Sequence, residues 1–251
     1  MDRIILDRVV EINQEVMIEG PLLEALRFQG GRVGRLVTLT DAGGKDFRGR
    51  VLHLSATKGE ILIVDRFRLP TESPVDIVLL QALPEKERME WIIQKTTELG
   101  ISTIIPFKSA RSISLEEREA KQKKAHRWQE IAVKAVQQSR RARVPHVGTY
   151  RTFNKTLMGC GGEGLKILLW EKTGEPLKQV LKQHPAKKIY VMVGPEGGFT
   201  EEEATQAMDA GFIPVKLAQR ILRTETAAIT LVAILQYEVG DLSLSLPGDQ
   251  T

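Results

Sequence analysis

The chain has 251 residues, of which 42% are hydrophobic, enough for one substantial core or two modest ones. Its longest uncharged apolar run, residues 227–235, is far shorter than the roughly 20 residues that cross a bilayer, so we expect a soluble protein with no membrane span. Lys and Arg number 36 against 32 Asp and Glu, which is a weak indication of a polyanionic partner.

The cysteine and histidine content argues against a disulfide-stabilised protein and against a metalloprotein. The single cysteine, Cys160, rules out an intrachain disulfide, and four histidines at no ligand spacing argue against a metal site. The first residues carry an acid, Asp7, and no small-residue cleavage site follows, so we expect no secretory signal and a cytoplasmic location.

Residues 1 to about 69 have the pattern of a small β-barrel. Short β-branched runs at 36–39, 50–54 and 60–64 alternate with turn residues. Two prolines, Pro70 and Pro74, then interrupt the chain, and we place a domain boundary there, between residues 1–72 and 73–251.

The rest of the chain alternates strands with helices, which predicts an α/β domain whose parallel sheet is covered on both faces. The predicted strands cover residues 75–83, 101–107, 165–170, 189–193 and 215–217. The predicted helices cover residues 85–99, 115–141, 175–184, 200–210 and 225–239.

The first informative motif is VGPEGGFT, residues 193–200, at the end of a predicted strand. Its glycines permit close backbone approach to a ligand, and Thr200 with Glu203 has the spacing of a capping box. The three glutamates at 201–203 would repel phosphate from this helix start, and both common nucleotide fingerprints are absent. A cofactor without phosphates, even a cationic one, therefore suits the motif, and a tight turn without any ligand fits the spacing equally well.

The second informative motif is LAQRILRTETA, residues 217–227, again between a strand and a helix. Ile221 and Leu222 are apolar residues in a polar loop, and they either cover a flat apolar ligand such as a purine or tuck under a neighbouring loop. The helix that follows is apolar on all sides, which indicates either a subunit interface or burial within the monomer.

These two motifs and the stretch Glu87-Arg88-Met89-Glu90 resemble, in order, those of the RsmE family. That family comprises bacterial methyltransferases of the SPOUT superfamily, which methylate N3 of a uridine in 16S, or small-subunit, ribosomal RNA. The resemblance covers nearly all of the chain after Pro74. It implies a C-terminal trefoil knot that holds S-adenosylmethionine, a homodimer whose interface helps to build the site, and an N-terminal PUA-like barrel that binds RNA. Knots are so rare that no periodicity argument predicts one.

The chain departs from the family pattern in two regions. The stretch Leu22-Leu23-Glu24-Ala25-Leu26-Arg27 lacks the family's usual histidine, and Ala218 stands where the family has glycine. Alanine has less backbone freedom than glycine, though this need not abolish cofactor binding.

The resemblance also implies a set of site residues. The cofactor pocket is expected to be lined by Leu169, Trp170, Glu171, Val193, Gly194, Pro195, Glu196, Gly197, Gly198, Leu217, Ile221, Leu222 and Thr226. Arg223 would either stabilise the uridinate anion or bind an RNA phosphate. Glu196 or Glu225 would accept the N3 proton or merely bond loop amides.

The expected RNA contacts are arginines. Arg140, Arg141 and Arg143 follow the long charged helix, and Arg27, Arg32 and Arg35 would extend their track from the barrel. Such charge runs also occur as plain solvated faces. Two other functions remain open: a SPOUT methyltransferase for another RNA nucleoside, and a catalytically silent RNA-binding factor.

Overall fold

The computed structural model describes residues 4–28, 30–43, 45–67, 72–113, 121–139 and 141–243. It divides into two compact units, one formed by Met1–Glu72 with Arg140–Val144 and the other by Ser73–Ser139 with Pro145–Thr251.

The N-terminal unit is a small curled sheet, a half-barrel of five strands. Its strands are β1 (Ile4–Ile5), β2 (Glu15–Glu19), β3 (Leu36–Thr40), β4 (Asp46–Leu54) and β5 (Lys58–Arg66). They are arranged in the order β1-β3-β4-β5-β2, antiparallel except for β1 with β3. Buried and open residues alternate along β5, so one face of the sheet forms the core.

The expectation of an all-β N-terminal unit is wrong in one segment, because Gly20–Phe28 forms a helix, α1. Leu23 and Leu26 are one helical turn apart and both are buried in the core beside the sheet. Good helix formers, leucine, alanine and glutamate, fill this segment, and the β pattern on either side outweighed them in the sequence interpretation.

The second unit contains a parallel sheet of eight strands, as the alternating pattern predicts. The strands are β6 (Asp76–Ala82), β7 (Thr103–Lys108), β8 (His146–Val147), β9 (Arg151–Thr152), β10 (Leu165–Leu169), β11 (Glu175–Pro176), β12 (Lys188–Val193) and β13 (Ile213–Lys216). Their order is β11-β13-β10-β12-β6-β7-β8, and β9 pairs with β7. Strands β6 and β12 are central and almost wholly buried, which explains their continuous apolar sequences.

Six described helices accompany this sheet. They are α2 (Lys86–Glu98), α3 (Lys121–Ser139), α4 (Phe153–Met158), α5 (Leu177–Gln183), α6 (Glu201–Asp209) and α7 (Thr224–Glu238). Residues 115–120 and 140 of the predicted long helix lie outside the described residues. The helix predicted at 175–184 corresponds to α5 and begins two residues later than predicted. Glu175 instead pairs with β13, and Pro176 is extended. The prediction also missed α4, whose start is capped by the side chain of Thr152.

Helices α6 and α7 begin close to the carboxyl ends of the sheet strands, so their first residues and their packing shape that edge of the sheet. Thr200 and Glu203 form the predicted capping box at the start of α6. Along α7, Ala228, Leu231 and Leu235 are fully buried within the unit. Burial within the monomer therefore accounts for much of the apolar character of α7.

Candidate functional site

A cavity of about 380 Å³ lies in the second unit, beyond the carboxyl ends of β10, β12 and β13. Ligands bind at this edge in open parallel sheets, and the volume is in the range of small-molecule sites. Its walls are three segments that follow these strands, 169–171, 193–199 and 216–224 without Gln219, together with Arg88 of α2 and Ala227 of α7.

The first wall, the glycine loop 194–198, is a tight turn after β12. The amide of Gly198 donates a hydrogen bond to the carbonyl oxygen of Pro195 over 3.0 Å. Gly198 has φ +68°, and a Cβ atom there would lie 3.3 Å from Oε1 of Glu171. The positive φ therefore favours glycine at this position, and a larger residue would also displace the Glu171 carboxylate slightly.

The second wall, the leucine loop 217–223, follows β13. Ile221 is 87% exposed, so it does not tuck under a neighbouring loop within this unit. Leu217, Ala218 and Leu222 are partly buried and line the cavity. The loop thus presents apolar side chains to the cavity with nothing from the described chain covering Ile221.

Buried hydrogen bonds connect the glycine loop to the residues that follow the leucine loop. The hydroxyl of Thr224, the first residue of α7, donates to the carbonyl oxygen of Gly194 over 2.6 Å. Nε2 of Gln81, at the end of β6, lies 3.1 Å from the Thr224 hydroxyl and 3.3 Å from the same carbonyl. Because Gln81 and Thr224 are both buried, these hydrogen bonds fix the start of the glycine loop against the start of α7.

Arg88 is the centre of a charged cluster at the cavity. Its Nε atom lies 3.2 Å from carboxylate oxygens of both Glu85 and Glu196, and its Nη1 atom lies 3.3 Å from Glu225. The hydrogen bond to Glu85 and the charges of Glu225 and Glu196 raise the pKa of Arg88 further above its usual value. Oε1 of Glu196 also accepts the backbone amide of Glu85 over 2.9 Å. Glu196 and Glu225 are therefore both engaged in the folded chain.

Two other charged residues of the lining, Glu171 and Arg223, make no hydrogen bond or ion pair within the described part of the chain. Lys216 and Arg220 add positive charge to the same wall. The cavity thus offers an uncommitted carboxylate on the β10 side and uncommitted cations on the leucine loop.

The structure brings together most of the residues predicted for the cofactor. All of them line the cavity except Thr226, which is exposed and outside the lining. Of the candidate catalytic residues, Arg223 and Glu196 line it, and Glu225 contacts it only through Arg88. Sequence reasoning assigned no role to Arg88, Gln81 or Thr224. Arg88 and Thr224 lie within quoted motifs, but Gln81 carries no local signal.

The arginines expected to contact RNA differ in their surroundings within the N-terminal unit. Arg27 donates to the carbonyl oxygens of Ser55 and Ala56, both over 2.7 Å, and Arg35 donates to that of Gly30 over 2.8 Å. Arg141 is 7% exposed, with Nη2 2.6 Å from the carboxylate of Glu72. Arg32 and Arg143 are exposed, and Arg140 lies outside the described residues.

The described residues show neither of two other kinds of feature. They contain no group of three or more His, Cys, Asp or Glu side chains arranged to hold a metal ion. Across the same ranges, every helix is too short or too polar to cross a membrane.

Comparison with known proteins gives the family. A family model described as an RNA methyltransferase domain matches residues 71–236, which is most of the chain. Ribosomal RNA small subunit methyltransferase E of Bacillus subtilis is 33% identical over 192 residues, covering 74% of this chain and 75% of that protein. The chain belongs to the ribosomal RNA small subunit methyltransferase E family.

Solved structures agree with this family assignment. Ribosomal RNA small subunit methyltransferase E from Neisseria gonorrhoeae, bound to S-adenosyl methionine, superposes with a TM-score of 0.73 at 34% identity, covering 96% of this chain and 99% of that one. A putative methyltransferase from Legionella pneumophila, in complex with the bound cofactor SAM, gives 0.68 at 29% identity, covering 96% and 99%. The family predicted from the sequence motifs and the α/β fold predicted from the alternation of strands and helices are thereby confirmed.

Proposed function

We propose that this protein transfers the methyl group of S-adenosylmethionine to N3 of a uridine in small-subunit ribosomal RNA. The observation that carries the proposal is the cavity between the glycine loop and the leucine loop, which the family's two most specific motifs line together. Its size fits one small molecule, and the acidic start of α6 disfavours a phosphate-bearing cofactor.

The residues of the cavity suit a cationic, phosphate-free donor. Leu217 and Leu222 offer apolar surface for the two faces of an adenine. Glu171 is the uncommitted carboxylate, so we assign it to the ribose hydroxyls, in preference to Glu196, which already pairs with Arg88. Backbone groups of the two loops are available to the adenine edge.

Methyl transfer is an in-line displacement: the sulfur–carbon bond breaks, the carbon–N3 bond forms, and the sulfonium becomes a neutral thioether. The donor supplies the methyl group and the leaving sulfur. The N3 proton is released to water, and the chain must hold the uracil in line and stabilise the uridinate anion that remains. Arg220 and Arg223 both line the cavity without a partner in the described chain. We assign Arg223, which the sequence motif already suggested for this role, to the uracil oxygens.

The two glutamates considered as bases have other partners. Glu196 accepts the Glu85 amide and pairs with Arg88, and Glu225 pairs with Arg88 as well. We therefore assign both to holding the loops, which is the plainer of the two roles that the sequence left open.

The family resemblance supports three further parts of the proposal. The polypeptide passes through a trefoil knot at the two loops, the N-terminal half-barrel is a PUA-like RNA-binding domain, and two copies form a homodimer. Exposed aromatic side chains on α2 and α7, Trp91 and Tyr237, favour an interface there. A ribosomal RNA substrate places the protein in the cytoplasm. Light scattering tests the dimer, a chain trace in an experimental density map tests the knot, and cell fractionation tests the location.

The decisive experiment combines purified protein, labelled S-adenosylmethionine and small ribosomal subunits from a strain that lacks the modification. We expect one methyl group per subunit, on N3 of a uridine. Methylation at another nucleoside would make the protein a methyltransferase of different specificity. Donor binding without transfer would make it a silent RNA-binding factor, and naked ribosomal RNA in parallel shows which form of the substrate is used.

A further inference from the structure

Arg88 is the point at which three separate segments meet. Glu85 immediately precedes α2, Glu196 is in the glycine loop, and Glu225 is in the first turn of α7. One guanidinium lies within 3.3 Å of a carboxylate oxygen from each of them. Glu85 is only three positions from Arg88, but Glu225 is 137 positions away, so the tertiary structure brings the distant carboxylates to this guanidinium.

The cluster is partly shielded from solvent on the α7 side, whereas the side chain of Glu85 is 65% exposed. The side chain of Arg88 is 28% exposed and that of Glu225 is 16% exposed. The planar fork of an arginine can face several carboxylates at once, and three negative charges around one positive charge would repel one another without it. Loss of Arg88 should therefore push the glycine loop and the start of α7 apart.

We propose that Arg88 is a positioning residue for the methyl donor: by holding Glu196 and Glu225 on one guanidinium, it keeps the two walls of the cavity at their binding distance. This inference rests on the proposed function, in which the cavity takes S-adenosylmethionine. Arg88 and Glu196 both line the cavity, so their ion pair lies in the cavity wall. When the walls of a site are already ordered before binding, less of the binding free energy is lost in ordering its loops.

The sign of the effect separates this role from a simple charge effect. S-adenosylmethionine carries a net positive charge, so removal of a nearby cation should by Coulomb's law alone strengthen its binding. Loss of positioning should weaken it instead. The direction of the change in affinity on removal of Arg88 therefore distinguishes the two.

The test is calorimetric titration of the full-length protein with S-adenosylmethionine. Arg88→Met should weaken binding about tenfold, and Glu196→Gln should weaken it by a similar factor. The double variant should be about as weak as either single one, because both changes break the same link. Arg88→Lys, which keeps the charge but not the fork, should recover part of the affinity.

A matched control uses Arg127, an arginine of α3 that pairs with a glutamate of α2. Nε of Arg127, on α3, lies 2.8 Å from the carboxylate of Glu90 on α2, so Arg127→Met also removes an ion pair between elements but at residues outside the cavity lining. It should bind the donor within about twofold of the wild type. Circular dichroism establishes that each variant is folded; if Arg88→Met does not fold, Arg88→Lys and Glu196→Gln carry the test, and both must weaken binding.

Three results would overturn the inference while leaving the proposed function intact. They are unchanged or tighter binding by a folded Arg88→Met, additive effects of the two single changes, and an equal loss in the Arg127→Met control. If the wild-type protein itself does not bind S-adenosylmethionine, the proposed function fails first, so the two failures are distinguishable.

Discussion

The hydroxyl of Thr224 donates a 2.6 Å hydrogen bond to the carbonyl oxygen of Gly194, 30 positions earlier in the chain, and thereby ties the start of α7 to the glycine loop. Thr224→Val keeps the shape of the side chain but removes the donor. We expect the free energy of unfolding to fall by about 1–2 kcal/mol and donor affinity to fall about fivefold. Chemical denaturation and calorimetry measure the two.

Thr205→Val is the control for that change. Thr205 donates a comparable bond, 2.9 Å to the carbonyl oxygen of Glu201, but on the exposed surface of α6. Its removal should leave donor affinity unchanged. Equal effects of the two variants on binding would show that the Thr224 bond does not shape the cavity.

Glu171→Gln should weaken S-adenosylmethionine binding about tenfold without a loss of stability, because the carboxylate has no partner in the described chain and is assigned to the ribose hydroxyls. Titration calorimetry compares it with Glu175→Gln, a change at an exposed glutamate outside the cavity lining. A variant that binds like the wild type would remove Glu171 from the donor site.

Arg223→Ala should abolish methylation while leaving donor affinity nearly unchanged, since its assigned task is to stabilise the uridinate. The measurements are single-turnover methylation of small subunits and calorimetric titration of the donor. Loss of donor binding would move Arg223 out of the catalytic role. Normal turnover at saturating RNA, with weaker RNA binding, would favour the phosphate contact instead.

Arg141 and Arg143 should respond differently to substitution, although both were expected to contact RNA. Arg143 is exposed, so Arg143→Ala should weaken RNA binding and lower the slope of log affinity against log salt by about one. Arg141 is buried against Glu72, so Arg141→Ala should instead lower the free energy of unfolding by about 2 kcal/mol. Salt-dependent RNA binding and denaturation measure these effects, and an unchanged or steeper salt slope for Arg143→Ala would contradict the first.

Cys160 should make stability depend on pH in the alkaline range. Burial raises the pKa of its thiol to about 11 from 9.0, the value for an unperturbed thiol, so the folded chain holds the proton more tightly than the unfolded chain. The resulting stabilisation is fully present below pH 9 and is lost as pH rises through 11. Denaturation at several pH values should show a smaller alkaline loss for Cys160→Ala than for the wild type. Parallel curves for the two proteins would contradict the assignment.

The outcomes for particular elements show how far local patterns reach. The capping box at Thr200 and Glu203 was predicted because both partners lie within one helical turn. Helix α1 was missed because its helix formers sit between β-like runs, and the burial of Leu23 and Leu26 against the sheet decides their conformation. For Ile221, the sequence left two alternatives open, and its 87% exposure excludes the structural tuck within the unit.

By itself, the sequence determined the alternation of strands and helices, the two loops that line the cavity and the family to which they belong, because each of these is recorded in residues close together in the chain. Only the tertiary structure decided that Arg88 pairs with Glu196 and Glu225. It also decided that Gln81 and Thr224 both hydrogen-bond to the carbonyl oxygen of Gly194. The ion pair of Arg141 with Glu72 was likewise decided by the tertiary structure. The pairings around Arg88 and Gly194 depend on how the strands of the eight-stranded sheet lie side by side, and the pairing of Arg141 depends on packing within the N-terminal unit. Local spacing carries no information about such contacts, because they join residues that are 30 to 137 positions apart.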